Sequence, residues 1–254
     1  MFYGLSLSHP TLLLPPPPKQ QCPPTTPPSF SIHPLLPPDY TEAFILADTA
    51  FATLNSLLFT TYPPSPESQR KLTDARLKAI PAIPQTSTFK AVDTQTGRIV
   101  GVARWTVSEH GEDIEQQASL DEVVEEILAR SVPETNQVCA RGFYSMAWSG
   151  RREILGVRDE DGKIVKLAPR VELQTLFTHP GYQGNGVASA LLQWGVEEAR
   201  RLGVVVYAEA TEEGRPLYEQ AVFEAVKVVD FDAEVFGGVG LHRYTFMLRR
   251  PSGM

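Results

Sequence analysis

The stretch Val171-Glu172-Leu173-Gln174-Thr175-Leu176-Phe177-Thr178-His179-Pro180-Gly181-Tyr182-Gln183-Gly184-Asn185-Gly186-Val187-Ala188-Ser189 decides the fold. Val171 to Thr178 is mostly apolar and β-prone, which predicts a largely buried strand. Pro180-Gly181 ends it. From about Gly186 to Leu202, Ala188, Leu192, Gly195, Ala199 and Leu202 lie along the one stripe of an amphipathic helix. Gln193, Glu197 and Arg201 fall on its outer face, the last two spaced for an i,i+4 pair, and Gly203 stops it. Val204 to Ala208 is again strongly apolar. The unit is strand–loop–helix–strand, and its two strands run parallel.

Gly181-Tyr182-Gln183-Gly184-Asn185-Gly186 occupies the turn between that strand and that helix. The first N–H groups of a helix lack intrahelical partners and carry partial positive charge. Glycine there removes the Cβ atoms that would hold an anion off the backbone. The loop therefore suits a phosphate or pyrophosphate, although glycine is also common in plain βα turns. A P-loop requires Lys and Ser/Thr directly after the last glycine, and Val187 and Ala188 stand there instead, so that reading fails. A dinucleotide fingerprint fits better. Gly184-Asn185-Gly186 opens it, and Glu209 ends the next strand at about the distance of a ribose-binding acid. Against it, Ser189 takes the third glycine position, and the unit sits late in the chain with too few strands around it for a doubly wound sheet.

Outward from this unit, a short helix over Gly214 to Val222 and strands at about Ala225 to Phe231 and His242 to Leu248 close the chain. Upstream, Phe89 to Asp93 and Ile99 to Trp105 flank Thr94-Gln95-Thr96-Gly97 as a hairpin. Ser29 to His33 alternates like a first strand. Asp39-Tyr40-Thr41-Glu42 reads as a capped helix start, continued at helical spacing by Phe44, Ala47, Phe51 and Leu54. A second helix fits Glu67 to Lys78. An acidic stretch follows the hairpin, in which Ser119-Leu120-Asp121-Glu122 caps a helix to about Arg130. A further helix fits residues 140 to 156, with a solvated turn at Asp159-Glu160-Asp161-Gly162. Twelve of the 22 prolines fall in the first 38 residues, so residues 1–28 are expected as a disordered Pro-rich tail.

Composition narrows the partners. The net charge is −7 and no Lys/Arg run is present, so no nucleic-acid partner is expected. Cys22 and Cys139 lie far apart and the five histidines are scattered, so no metal site with local spacing is expected. No segment approaches the roughly 20 apolar residues of a membrane span. Met1 to Leu14 lacks a basic start before Pro15-Pro16-Pro17-Pro18, so a cytoplasmic protein with no membrane partner is expected.

Gln183 to Ala188 matches the Gln/Arg-x-x-Gly-x-Gly/Ala signature of the GNAT superfamily of acyl-CoA-dependent N-acetyltransferases, which the chain resembles. Leu176-Phe177-Thr178-His179-Pro180 is similar to the end of that family's fourth strand, and Leu191 to Gly195 with Glu198-Ala199 to the helix after the loop. Tyr207 to Thr211 and Pro216-Leu217-Tyr218-Glu219 are similar to its fifth strand and fourth helix. The likeness is strong over about 168–224 and looks closest to fungal-type members with a long insertion before the fourth strand. It implies an α/β (α+β) fold with a mixed, mostly antiparallel central sheet flanked by helices and splayed between strands four and five. One domain over 29–250 is implied, with an acidic insertion at about 107–167. Two departures stand out: Val222-Phe223 replaces the usual Gly-Phe, and Thr211 stands where Asn or Ser is common.

The resemblance also implies roles. Acetyl-CoA is the cosubstrate, its pyrophosphate resting on the N–H groups of Gln183, Gly184, Asn185, Gly186, Val187 and Ala188, with the Ser189 hydroxyl added. Its pantetheine arm lies along the fourth strand near Phe177 and Thr178, and Thr211 makes a further contact. The Phe177 N–H meets the oxyanion. Tyr218 is the acid that protonates the departing thiolate. An alkyl amine is neutral in roughly one molecule per thousand at pH 7, so a base helps, and Glu172 and Glu209 are the candidates. His179 reads as structural. The acceptor is a small-molecule amine or a lysine-bearing substrate, with no signature that narrows it. A non-catalytic acyl-CoA sensor is the alternative of a different class.

Overall fold

A computed structural model describes residues 29–79 and 86–251; the expected tail, residues 1–28, lies outside the described residues. In chain order, β1 (Phe30–Pro34) leads into α1 (Tyr40–Ala50), α2 (Ala52–Leu58) and α3 (Pro66–Ala79), then into the hairpin β2 (Thr86–Asp93) and β3 (Ile99–Ser108). A middle segment holds β4 (Glu112–Asp113), α4 (Leu120–Leu128), α5 (Gln137–Leu155), β5 (Gly156–Arg158) and β6 (Ile164–Leu167). β7 (Arg170–Thr178), α6 (Val187–Leu202), β8 (Val205–Thr211), α7 (Arg215–Gln220), β9 (Glu224–Asp232) and β10 (Leu241–Arg249) follow.

The main sheet has the order β1-β2-β3-β7-β8-β10-β9. Only β7 and β8 are parallel, joined by the α6 crossover; the other neighbours are antiparallel. This is the expected mixed sheet. One parallel pair is too little for the doubly wound sheet of the dinucleotide reading. α6 covers one face through Val187, Leu191, Leu192 and Ala199, packed on Trp105, Val171, Leu173, Val206 and Ala208. Gly195 permits that approach, because a Cβ there would lie 2.3 Å from the Trp105 ring. On the opposite face α1 packs Ala43 and Leu46 on Val102 and Phe177, and α5 packs Phe143 edge-on against Phe231 and Tyr244.

Some local expectations change. Asp39 does not cap α1 with its side chain; that carboxylate takes the Leu36 N–H at 2.8 Å and pairs with Lys90 at 2.6 Å. Glu42 reaches to the Ile99 N–H of β3 at 3.0 Å rather than to its own helix start. Helical residues past Ala50 belong to α2, after a break at Phe51. Arg201 pairs with Glu198 one turn back, while Glu197 accepts from Gln193. Ser119 and Glu122 form the expected capping box of α4. The small sheet β4-β6-β5 in the middle segment had no clear signal, since its strands are two to four residues long.

Candidate active site

β7 and β8 pair only from Arg170↔Val205 to Leu173↔Ala208, although β7 runs on to Thr178 and β8 to Thr211. The parting coincides with a bulge. Trp105 of β3 faces Leu173 and Arg104 faces Thr175, which leaves Gln174 outside the strand register. A bulge bends its strand and shifts the side-chain alternation by one. Leu173 enters the core under α6, and past the bulge Leu176 packs on that core while Phe177 turns toward α1. The His179 N–H donates to the Val100 carbonyl of β3 at 2.8 Å. Hydrogen-bond direction alternates along a strand, so the Phe177 N–H also points to β3. The N–H expected to meet an oxyanion is therefore turned away from the gap, and those of Leu176 and Thr178 face it.

At the end of β7 the chain enters the glycine loop. Gly184 and Gly186 hold φ of +76° and +80°, where any L side chain is strained. These turns leave the backbone N–H groups of Gly184 to Ser189 without an acceptor among the described residues, at the positive end of the 16-residue α6. A cavity of about 610 Å³ opens over them. Its wall includes Gln183, Gly184, Gly186, Val187, Ala188 and Ser189 of the loop, Phe177 and Thr178 of β7, and Thr211 of β8. Asn185 is not on that wall; its amide donates to the Gln183 carbonyl at 3.1 Å. The Thr178 hydroxyl is buried and has no partner among the described residues. Unpaired loop N–H groups and an orphaned hydroxyl beside an open strand edge fit a pyrophosphate with an amide-bearing arm.

Neighbouring side chains brace the loop. His179 Nδ1 accepts the Gly181 N–H at 3.0 Å, and its ring stands edge-on to Tyr182, which is a structural role. The Tyr182 hydroxyl donates to Asp93 at 2.5 Å, and Asp93 also holds the N–H groups of Gln95 and Thr96 in the β2–β3 turn.

A second cavity, about 520 Å³, lies between α5 and the splayed strands. Tyr207, Glu209 and Thr211 face it because alternate residues of β8 share one side, while Val206, Ala208 and Ala210 enter the core. Tyr144, Ala147, Trp148 and Arg151 of α5, Val123 and Ile127 of α4, and Glu172 and Tyr244 complete much of its wall.

The two carboxyl groups there are in opposite states. Burial, the largest influence, pushes the Glu209 carboxyl above its ordinary range, against the pull of hydroxyl donors Tyr207 at 2.7 Å and Tyr244 at 2.9 Å. Glu172 is also buried, which opposes its charge. Arg151 nevertheless binds both its oxygens at 2.8 Å and Arg170 adds a bond at 2.7 Å, and together they hold it below the ordinary range. Glu172 is thus a fixed anion with its oxygens engaged, and Glu209 a carboxyl ready to exchange a proton.

Tyr218 lines both cavities, as do Phe51, Leu54, Leu176, Thr211 and Gly214. Its hydroxyl has no hydrogen-bond partner among the described residues. Burial pushes the phenol above its ordinary value, so it keeps its proton. The Thr211 hydroxyl accepts the Gly214 N–H at 3.3 Å just before α7, which carries Tyr218. After α7 the Phe223 N–H returns to the Tyr218 carbonyl at 3.0 Å, a closure that sets Val222 at φ +62°.

Most of the residues singled out in the sequence therefore converge on one wedge, with Asn185 beside it. Tyr207, Tyr244, Arg151, Arg170 and Trp148 were not anticipated. Tyr207 was readable, since it stands two residues before Glu209 on a strand. Arg151 and Trp148 come from a helix whose sequence carries no chemical signature.

Comparisons with known proteins agree with this fold. Among solved structures, the chain is similar to Drosophila melanogaster polyamine N-acetyltransferase (14% identity, TM-score 0.55, covering 87% of this chain and 100% of that one). It is also similar to a mosquito arylalkylamine N-acetyltransferase-like protein (13%, 0.56, 87% and 100%). A third is an acetyltransferase from Corynebacterium glutamicum described as histone acetyltransferase HPA2 and related (19%, 0.52, 89% and 98%). No curated protein matches the sequence. At these identities the structures speak for the fold alone. The profile of the "Acetyltransferase (GNAT) family" matches residues 53–223, more than half of the chain. The chain belongs to the GNAT acetyltransferase family, whose cosubstrate is acetyl-CoA.

Proposed function

We propose that this acetyltransferase moves an acetyl group from acetyl-CoA directly to a small primary amine. The observation that carries the proposal is the meeting of an anion-ready cavity and an acid-bearing cavity at one unpaired phenol, Tyr218. The loop N–H groups from Gly184 to Ala188, with Gln183 and the Ser189 hydroxyl beside them, hold the pyrophosphate, and Phe177, Thr178 and Thr211 line the arm. The Leu176 N–H, facing the gap, meets the thioester oxygen as it gains charge.

Glu209 receives a proton from the incoming ammonium, and its raised proton affinity suits that task. The freed amine attacks the carbonyl, the C–N bond forms and the C–S bond breaks. Tyr218 gives its proton to the leaving sulfur, and the second nitrogen proton restores the phenol. Glu172 acts as a positioning residue that fixes Arg151 beside the acceptor.

The test is thiol release from acetyl-CoA by the purified chain with a panel of primary amines, beside melting with acetyl-CoA and with NADH. The expected result is amine-dependent thiol release and a melting shift with acetyl-CoA alone. Ligand at about 100 times its Kd adds about 2.7 kcal/mol. A shift with NADH alone would overturn the proposal, and a shift with acetyl-CoA without any transfer would leave a sensor.

A further inference from the structure

The acceptor's chemical class follows from the charges on the wall of the second cavity, an inference that rests on the proposed amine acetylation. Among the described residues three charged side chains line that wall: Arg151, Glu172 and Glu209. Two belong to a closed cluster. Arg151 grips Glu172 through Nε and Nη2, while Arg170 behind them bonds Glu172 at 2.7 Å and Glu112 at 2.6 Å. Two guanidinium groups and two carboxylates sum to zero charge, and neither oxygen of Glu172 is left without a strong donor. Glu209 alone remains to meet a cation, and it serves one ammonium, the one that loses a proton.

The rest of the wall carries no charge: Gln174, Thr175 and Thr211 are its polar members, and most of the others are aromatic or aliphatic. Tyr244 touches Glu209, Tyr144 and Trp148 share the wall with it, and Val123 and Ile127 of α4 add an apolar side. The Arg152 guanidinium lies 3.9 Å from the Trp148 ring centroid, so one indole face is already covered and the ring is held in place. Aromatic walls take an apolar body by burial and an ammonium by attraction to the ring faces. A cavity of about 520 Å³ is of small-molecule size.

We infer that the acceptor is a small monoamine with an uncharged aromatic or aliphatic body, and that a second ammonium or a carboxylate on that body is rejected. A second ammonium would be desolvated beside Arg151 with no free acid to receive it. A carboxylate would approach Glu209 and find Arg151 already matched.

The experiment uses the full chain with saturating acetyl-CoA, thiol release as readout, and two matched pairs of acceptors. Hexylamine is set against hexamethylenediamine, and phenethylamine against phenylalanine. In each pair the uncharged body is expected to win in kcat/KM by at least about tenfold, the low end for leaving a buried polar group unpaired. Arg151→Gln frees one side of Glu172 and restores a negative wall, so the diamine-to-monoamine ratio is expected to rise by about tenfold. Trp148→Ala should raise KM for phenethylamine with KM for acetyl-CoA unchanged. Equal or better use of the diamine or of phenylalanine by the wild type overturns the inference and leaves amine acetylation standing. Failure of all four acceptors, with acetyl-CoA still raising the melting temperature, overturns the acceptor class but keeps the cosubstrate. Absence of that shift removes amine acetylation itself.

Discussion

Leu173 and Ala208 are the last residues to face each other across the parallel ladder of β7 and β8. One residue later Gln174 bulges, and the two strands continue without pairing. Both cavities are built on this wedge. Thr178 stands on one side, Thr211 on the other, and Tyr218 lies where the cavities meet.

Thr178→Val tests the arm of the first cavity. A buried hydroxyl without a partner costs about 1–3 kcal/mol, and valine has nearly the same shape. The melting temperature of the free protein should rise, while KM for acetyl-CoA should rise severalfold. Lower stability together with an unchanged KM would remove the hydroxyl from cosubstrate binding.

Glu209→Gln separates chemistry from folding. The raised folded value means that the native state binds the Glu209 proton more tightly than the unfolded chain does, and the stability this gives is lost as pH rises through that value. The variant should lose no stability at neutral pH yet lose about a hundredfold in kcat/KM. The acidic limb of the wild-type profile should lie above the ordinary carboxylate range and vanish in the variant.

The opposite sign holds at Glu172. Its lowered folded value gives stability that is present above the ordinary carboxylate range and lost as pH falls through the folded value. Glu172→Gln should cost about 3 kcal/mol at neutral pH, because the buried Arg170 and the half-buried Arg151 lose their anion. Denaturant unfolding should show that gap closing in acid.

Val222 is a β-branched residue at φ +62°, 71% exposed, in a place where glycine is at ease. Val222→Gly should raise stability by about 1 kcal/mol with kcat and KM unchanged. Calorimetry beside the thiol assay checks both halves.

Much of this site was legible from local sequence. The mostly apolar, β-prone run of Val171 to Thr178, the glycines before α6 and the Gly203 stop are local signals, and each produced its element. Glu209 was readable as a candidate from its place on the strand after α6, and Tyr218 from the resemblance of Pro216-Leu217-Tyr218-Glu219 to the family's fourth helix. What escaped was non-local. The state of Glu172 depends on Arg151, 21 residues away, and the direction of the Phe177 N–H depends on a bulge seen only against β3. Asp39 and Glu42 had a capping pattern, but Lys90 and the Ile99 N–H were the stronger partners once the sheet had formed.

The most direct measurement is steady-state acetyl transfer to phenethylamine by the wild type and Tyr218→Phe. The phenol lines both cavities and its hydroxyl has no partner in the protein among the described residues, so the change should leave the melting temperature within about 0.5 kcal/mol equivalent. The expected result is a kcat lower by about a hundredfold or more with KM for acetyl-CoA unchanged. A variant that turns over at the wild-type rate would contradict it.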